Sequence, residues 1–208
     1  MPLQSIYLAR HGETEWAVLG KHTGRTDIPL TPKGEFEAQR LGERLEGIEF
    51  TRVLASPLQR ARRTAELAGF GARLELEPGL LEWDYGNYEG MKSVDIRKTD
   101  PGWNLFHKGS PGGESVAAIA ARIDELLSRV KKMEGNVILF AHGHVLRVVA
   151  ARFLEEEVVL GERLYLGTAS LSVLGFEHPP HDPCIRLWNA RRHLEGKPIP
   201  TEPGHQRG

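Results

Sequence analysis

The sequence predicts an α/β fold, a three-layer sandwich in which helices cover both faces of a largely parallel central sheet. Short apolar segments alternate along the chain with longer segments whose apolar residues recur every three or four positions. This alternation is typical of a parallel sheet, because a crossover helix returns the chain to the start of the next strand. No repeat or linker divides the 208 residues. We expect a single domain over residues 1–192 and a mobile, polar tail over residues 193–208.

The first strand and the first long helix are predicted from residues 6–47. The segment IYLAR alternates in polarity as a short strand does, and TGRTDIPL after it predicts a loop. The segment TPKGEFEAQRLGERLEG then predicts a helix with Thr31 as its N-cap and Pro32 at its first position. The inner stripe of this helix consists of Ala38, Leu41 and Leu45.

The segments RVLAS and RLELE predict the second and third strands. Between them, SPLQRARRTAELAG predicts a helix that Ser56 caps, Pro57 opens and Gly69 ends. One face of this helix consists of Leu58, Ala61, Ala65 and Ala68.

The second half of the chain begins with an irregular stretch, residues 78–112, which is rich in Gly, Pro and aromatic residues. A stretch of this length inside a domain is more often functional than idle. A long helix is predicted from Ser115, then the buried strand NVILFAHG, the helix HVLRVVAARFL, and the strands ASLSVLGF and CIRLWN. Between the last two strands, HPPHDPC favours a solvated turn over a metal site.

Polar side chains follow three of the predicted strands, at the edge where α/β sheets bind ligands. Arg10 and His11 follow the first strand, Arg60 lies in the helix after the second, and His142 and Gly143 follow the fourth. Each of these alone is more often a structural or solvated group. Together, arginines and a helix N-terminus favour an anion, and a neutral imidazole is a competent nucleophile. The sequence therefore predicts an anion site suited to phosphoryl transfer.

Five segments occur in the order found in the histidine phosphatase superfamily, which includes cofactor-dependent phosphoglycerate mutases and many small phosphatases. They are LARHGETEW, SPLQRARRTAE, LLEWDYGNYEG, PGGES and FAHGHVLR. The resemblance runs from about residue 4 to residue 190 and implies a phosphoglycerate mutase-like fold.

The resemblance also implies catalytic roles. His11 would be the nucleophile that carries the phosphoryl group, and Arg10, Arg60 and His142 would surround the phosphate. Glu82 matches the acid that protonates the leaving oxygen and then activates water. Further substrate-binding positions implied in this way are Thr23, Gly24 and Gly143. The residues alone leave Asp84 and Glu89 open as alternatives to Glu82.

The sequence favours hydrolysis over transfer to a second hydroxyl group. Ala17 occupies a position where mutases often carry a phosphate-binding Asn, and the segment after Glu82 lacks the paired arginines with which glycolytic mutases bind the substrate carboxylate. The closest resemblance is to the branch of bacterial broad-specificity acid phosphatases and fungal sedoheptulose bisphosphatase. On that basis, possible specificity residues are His22, Arg25, Tyr85 and Lys108.

We therefore expect a metal-independent phosphomonoester hydrolase without a cofactor, acting on a small phosphorylated metabolite. The alternatives are a phosphoglycerate mutase and a non-catalytic phospholigand-binding protein. The net charge of −1 gives no global attraction to nucleic acid or a membrane surface. One cysteine and the absence of a recognisable signal sequence predict a cytoplasmic protein. Dimers are common in the superfamily, so a homodimer is a further expectation.

Overall fold

The computed structural model describes residues 3–196, which form a six-stranded sheet with helices on both faces. The strands are β1 Leu3–Arg10, β2 Arg52–Ala55, β3 Leu74–Leu76, β4 Gly135–Ala141, β5 Leu171–His178 and β6 His181–Ala190. The α-helices are α1 Glu15–Leu19, α2 Pro32–Leu45, α3 Gln59–Ala65, α4 Ser93–Thr99, α5 Leu105–Lys108, α6 Val116–Val130 and α7 Gly143–Phe153.

The strand order is β3-β2-β4-β1-β5-β6. Strands β1 to β4 are mutually parallel, and β5 and β6 complete one side as an antiparallel hairpin. The carboxyl ends of β1, β2 and β4 therefore lie side by side. This confirms the predicted largely parallel sheet and the edge where the polar side chains were expected.

Both faces of the central strand β4 are buried, which explains its unbroken apolar sequence. Val137 and Leu139 pack in the cluster that includes residues of α6 and α7. Ile138 and Phe140 pack in the opposite cluster, with residues of α2 and the segment after α3. A fully buried side chain of this size contributes roughly 1.5–3 kcal/mol, so this strand anchors the motif that follows it.

The helix starts confirm the predicted cap Thr31, show that Ser115 caps the helix predicted to begin there, and correct the predicted cap Ser56. Thr31 Oγ1 accepts from Gly34 N at 3.0 Å, and Ser115 Oγ accepts from Ala118 N at 3.1 Å. Helix α3, however, begins at Gln59 rather than at Pro57. The hydroxyl of Ser56 lies instead 2.8 Å from His142 Nε2, so the site and not the helix is its main partner.

The end of the α3 segment and the irregular stretch also differ in detail from the prediction. Gly69 adopts a left-handed φ of 91°, as a helix-ending glycine does, but a wide helical turn continues to Phe70. Within residues 78–112, the structure forms the short helices α4 and α5, which bury Ile96, Leu105 and Phe106. Tertiary packing rather than sequence period supports these helices.

The terminal region is described only in part. A short 3₁₀ turn spans Arg192–Leu194, and the half-buried His193 lies with Nε2 2.9 Å from Ala169 O. Residues 197–208 of the predicted mobile tail lie outside the described residues, and the domain boundary stays a prediction. Within HPPHDPC, Pro179 and Pro180 form the expected turn of the β5–β6 hairpin, whereas His181 to Cys184 already belong to β6. Within residues 3–196, none of the helices combines the length and apolarity needed to span a bilayer.

Candidate active site

A cleft of about 220 Å³ opens at the carboxyl ends of β1 and β4. Arg10, His11, Thr23, Glu82 and Gly143, all predicted from the sequence, line it. Ala17 lines it as well, so the position at which this chain departs from the mutase pattern faces the site. Five residues predicted from separate segments thus meet in one cleft.

His11 is held in one neutral tautomer. Its Nδ1 lies 2.7 Å from Gly12 O, and because a carbonyl only accepts, Nδ1 carries the proton and Nε2 carries the lone pair. Burial lowers the pKa of His11 well below its usual value, and the cations Arg60 and Arg10 lower it further. At neutral pH the side chain therefore presents an unprotonated Nε2, the form that acts as a nucleophile.

His142 is fully buried beside His11, with the two ring centroids 5.2 Å apart. Arg60 Nε donates to His142 Nδ1 at 3.0 Å, so Nε2 carries the ring proton and faces Ser56 Oγ at 2.8 Å. Burial lowers the pKa of His142 well below its usual value, with further contributions from Arg60 and His11. His142 is thus a neutral hydrogen-bond donor in this structure.

The two arginines of the site form no salt bridge with a carboxylate in the described part of the chain. Arg10 Nη1 donates to Leu166 O at 2.6 Å, and its buried Nε has no hydrogen-bond partner. Arg60 is completely buried, and its remaining bonds go to the carbonyls of Thr23, Gly24 and Thr26. Burial lowers the pKa of both arginines, which nevertheless stay charged. Glu82 acts electrostatically on both arginines and raises their pKa, but it forms no ion pair with either. Two buried cations without a carboxylate in direct contact favour an anion in this cleft.

Glu82, 4% exposed, lies at the N-terminus of α7. Its Oε1 accepts from Trp83 N at 2.9 Å and Val145 N at 2.8 Å, and its Oε2 accepts from His144 N at 3.0 Å. Three backbone N–H donors, two at the start of α7 and one on Trp83, thus fix the position of this carboxyl group. The two alternatives are bound elsewhere: Asp84 accepts from Gly86 N, and Glu89 from Gly24 N. Of the three acids, only Glu82 lines the cleft.

The loop that carries Thr23 and Gly24 is held from both sides. Arg60 binds its carbonyls, while Glu89 Oε1 accepts from Gly24 N at 2.9 Å. A Cβ on Gly24 would lie 2.6 Å from Glu89 Oε2 and 2.7 Å from Trp83 O, so only glycine fits. Thr23 lines the cleft, whereas Gly24 shapes the loop beneath it.

Gly12 is needed for packing against a helix. A Cβ on Gly12 would lie 2.2 Å from Gly34 O in α2, and one on Gly34 would lie 2.1 Å from Glu13 O. The loop after β1 therefore touches α2 backbone to backbone. Thr64 Oγ1 also accepts from Gly12 N at 3.1 Å, which fixes the loop that presents His11.

Comparison with known proteins agrees with this arrangement. The sequence profile of the histidine phosphatase superfamily (branch 1) matches residues 6–191. The chain belongs to the histidine phosphatase superfamily.

Individual relatives point to the phosphatases of this superfamily. An acid phosphatase of Mycobacterium tuberculosis is 40% identical over 177 residues, covering 83% of this chain and 87% of the relative. Sedoheptulose 1,7-bisphosphatase of Saccharomyces cerevisiae is 34% identical over 176 residues, covering 69% of this chain and 65% of the relative. A solved structure of an M. tuberculosis open reading frame product superimposes with a TM-score of 0.84 at 35% identity, covering 90% of this chain and 98% of that chain.

Probable phosphoglycerate mutases are more distant. One from Salmonella choleraesuis is 30% identical over 182 residues, covering 83% of this chain and 85% of the relative. The superfamily, the fold and the expected branch are thus confirmed, and the relatives support a phosphatase.

The four possible specificity residues of this histidine phosphatase divide into two pairs. His22 and Tyr85 line the cleft. Arg25 lies outside it and pairs with Asp84 at 3.5 Å. Lys108 also lies outside it, because the last turn of α5 faces solvent and its Nζ binds Asp100 Oδ1 at 2.8 Å. The structure therefore places Arg25 and Lys108 outside this cleft, and a role for them in substrate specificity stays a prediction.

Two cleft residues of this histidine phosphatase were missed from the sequence. In the sequence, Arg147 has the pattern of an ordinary arginine within a helix, and Tyr165 lies in a segment without a periodic pattern or a motif. The only available signal for Arg147 was its spacing of five residues from His142, which brings it near the same helix end. Tyr165, 68% exposed, reaches the cleft because Arg10 and Trp188 bind the carbonyls of its segment.

Proposed function

We propose that this protein hydrolyses phosphomonoesters of small metabolites by double displacement through a phosphohistidine at His11. The observation that carries the proposal is the charge arrangement. A neutral imidazole with its Nε2 lone pair lies beside Arg10 and Arg60, neither of which has a carboxylate partner among residues 3–196. A phosphate group supplies the missing negative charge and the electrophile together.

In the first step, His11 Nε2 attacks phosphorus and forms a P–N bond as the P–O bond to the alcohol breaks. Protonated Glu82 gives its proton to the leaving oxygen. In the second step, Glu82 takes a proton from water, the resulting oxygen attacks phosphorus, and the P–N bond breaks. Histidine returns neutral and inorganic phosphate leaves. The three N–H groups that bind Glu82 hold its carboxylate in place between the steps.

The remaining site residues bind and stabilise the transferring group. Arg10 Nε, buried and without a hydrogen-bond partner, is the donor we assign to a phosphate oxygen. Arg60 contributes positive charge from beneath the cleft, where its bond to His142 orders the ring beside His11, and the backbone N–H of Gly143 at the start of α7 is a further donor to the phosphate. Thr23 lines the opposite wall.

Sugar phosphates and bisphosphates are the first substrates to try, because the relatives include an acid phosphatase and a sedoheptulose 1,7-bisphosphatase. A cytoplasmic location and a homodimer stay predictions. A mutase is the second candidate, supported by the more distant relatives named mutases. Ala17 weighs against it, since a methyl group cannot hold the phosphate between transfers.

A panel of phosphate esters with phosphate-release detection tests the proposal, together with acid–base quenching to trap the phosphoenzyme. The wild-type protein is expected to release phosphate and to carry an acid-labile phosphoryl group. The exposed His181 gives a matched control variant, His181→Ala, in which both properties persist. Rapid conversion of 3- to 2-phosphoglycerate without phosphate release would replace the hydrolase by the mutase.

A further inference from the structure

A second cavity of about 220 Å³ adjoins the phosphate cleft. The two share three lining residues, His22, His144 and Arg147, so they are neighbouring chambers rather than separate sites. The second chamber extends to Arg97 and Asn104, on the short helices of the irregular stretch. Nothing in the proposed phosphoryl transfer uses this chamber.

Arg147 is a fixed cation between the chambers. Its Nε donates to Gly161 O at 2.6 Å, its Nη2 donates to Glu162 O at 2.8 Å, and its guanidinium lies 4.5 Å from the centre of the Phe106 ring. Burial lowers the pKa of Arg147 to about 10, so it stays charged at neutral pH. Its hydrogen bonds go to neutral carbonyls, and it forms no salt bridge with a carboxylate in the described residues.

The histidines of the shared wall are neutral. Burial lowers the pKa of His144 well below its usual value and raises that of Tyr85 well above its usual value, and the hydroxyl of Tyr85 lies 2.6 Å from His144 Nδ1. Burial lowers the pKa of His22 to about 4, and Arg97 contributes to the shift. The acid at the rim, Glu162, is paired with His107 at 2.9 Å.

We infer that the second chamber binds a second anionic group of the substrate, a phosphate or a carboxylate, through Arg147 and Arg97. This inference rests on the proposed phosphatase function, because the scissile phosphate must occupy the first cleft. Arg147 is held by two backbone carbonyls, whereas the exposed Arg97 is held within residues 3–196 by one hydrogen bond, from Nε to Trp103 O at 3.3 Å. The two arginines are then specificity-determining residues, and doubly anionic metabolites are the preferred substrate class.

The experiment compares kcat/KM for three esters: a sugar bisphosphate, a phosphoglycerate and glycerol phosphate, whose tail is uncharged. The variants are Arg97→Gln and Arg147→Gln. Lys98→Gln is the matched control, because it removes an exposed cation next to Arg97 that lines neither chamber. The readout is the ratio of kcat/KM for an anionic-tailed ester to that for glycerol phosphate.

We expect this ratio to fall about tenfold in each arginine variant, mainly through KM, and to stay at the wild-type value in Lys98→Gln. A fall confined to the bisphosphate identifies a phosphate as the second group, and a fall confined to phosphoglycerate identifies a carboxylate. Arg97 is exposed, so Arg97→Gln decides the matter where Arg147→Gln does not fold. Phosphate release with an unchanged ratio in Arg97→Gln overturns this inference alone. No release from any ester overturns the phosphatase itself.

Discussion

Replacing Glu82 by Gln separates the chemistry of this carboxyl group from its structural contacts. The amide oxygen can keep the bonds that Oε1 accepts from Trp83 N and Val145 N. In the native protein, Glu82 Oε2 accepts a hydrogen bond from His144 N at 3.0 Å. In the variant, the amide NH₂ faces this N–H instead and cannot accept the bond. One buried N–H is left without an acceptor, at a cost of about 1–3 kcal/mol. For a chain of this size Tm falls by about 2–4 °C per kcal/mol of destabilisation, so we expect Glu82→Gln to stay folded under the conditions of the kinetic assay.

The kinetic effect depends on the leaving group. An alkoxide needs the proton of Glu82, and general acid catalysis contributes about 10²–10⁴-fold, so Glu82→Gln should slow phosphoryl transfer from glycerol phosphate by that factor. A nitrophenolate leaves without protonation, so transfer from para-nitrophenyl phosphate should slow by less than about tenfold. Because Glu82 also activates water, the phosphoenzyme should accumulate with the aryl ester.

Stopped-flow measurement of nitrophenolate release and quenched-flow measurement of the alkyl ester follow the first step directly. The expected result is a burst of about one nitrophenolate per active site, followed by slow turnover. Equal slowing of the first step with both esters would refute the general acid role of Glu82, and so would the absence of a phosphoenzyme in the variant.

Three further predictions concern the nucleophile, the buried histidine of the shared wall and the loop that carries the motif. His11→Ala should abolish both turnover and the acid-labile phosphoenzyme, measured by phosphate release and quenching; retained turnover would remove His11 from the mechanism. Burial lowers the pKa of His22 from 6.5 to about 4. Between pH 6.5 and 4 the unfolded chain therefore binds a proton at His22 that the folded chain does not, so the free energy of unfolding decreases as pH falls through this range. In His22→Gln, the free energy of unfolding measured with urea should depend less steeply on pH between 6.5 and 4, by up to about 1.4 kcal/mol per pH unit. An unchanged slope would contradict the lowered pKa of His22. Gly34→Ala should destabilise by about 1–3 kcal/mol despite its helical position, because its Cβ meets Glu13 O at 2.1 Å, whereas Gly71→Ala, with its nearest atom at 3.6 Å, should not; thermal unfolding compares the two.

The sequence predicted the parts of the site that depend on strand ends. Arg10, His11 and His142 could be placed together because parallel strands end at one edge and short segments set their order. Glu82 needed the family resemblance, since Asp84 and Glu89 lie in the same loop. The structure separates these acids because only Glu82 meets the N–H groups of α7.

The missed and misplaced residues depend on packing that no local pattern carries. Arg147 becomes a cleft residue because the backbone carbonyls of Gly161 and Glu162 hold its guanidinium. Lys108 lies outside the cleft because, as the last residue of α5, it binds Asp100 instead. Helix α5 has four residues and no sequence period from which this direction could be predicted. Short helices such as α5 are stabilised by tertiary contacts, so the sequence alone does not predict which way their side chains point.

The charge arrangement links binding and nucleophilicity in this site. Burial, and after it the cations Arg60 and Arg10, lower the pKa of His11 and keep Nε2 unprotonated, and the same cations supply positive charge that favours a phosphate dianion. Pairing either arginine with a protein carboxylate would weaken both effects at once, because the carboxylate would neutralise the field at His11 and compete with the phosphate. The absence of such a partner in residues 3–196 is therefore a functional feature, although it costs folding free energy. On this argument, the buried bonds of Arg60 to the carbonyls of Thr23, Gly24 and Thr26 are what allow the chain to tolerate the unpaired charge.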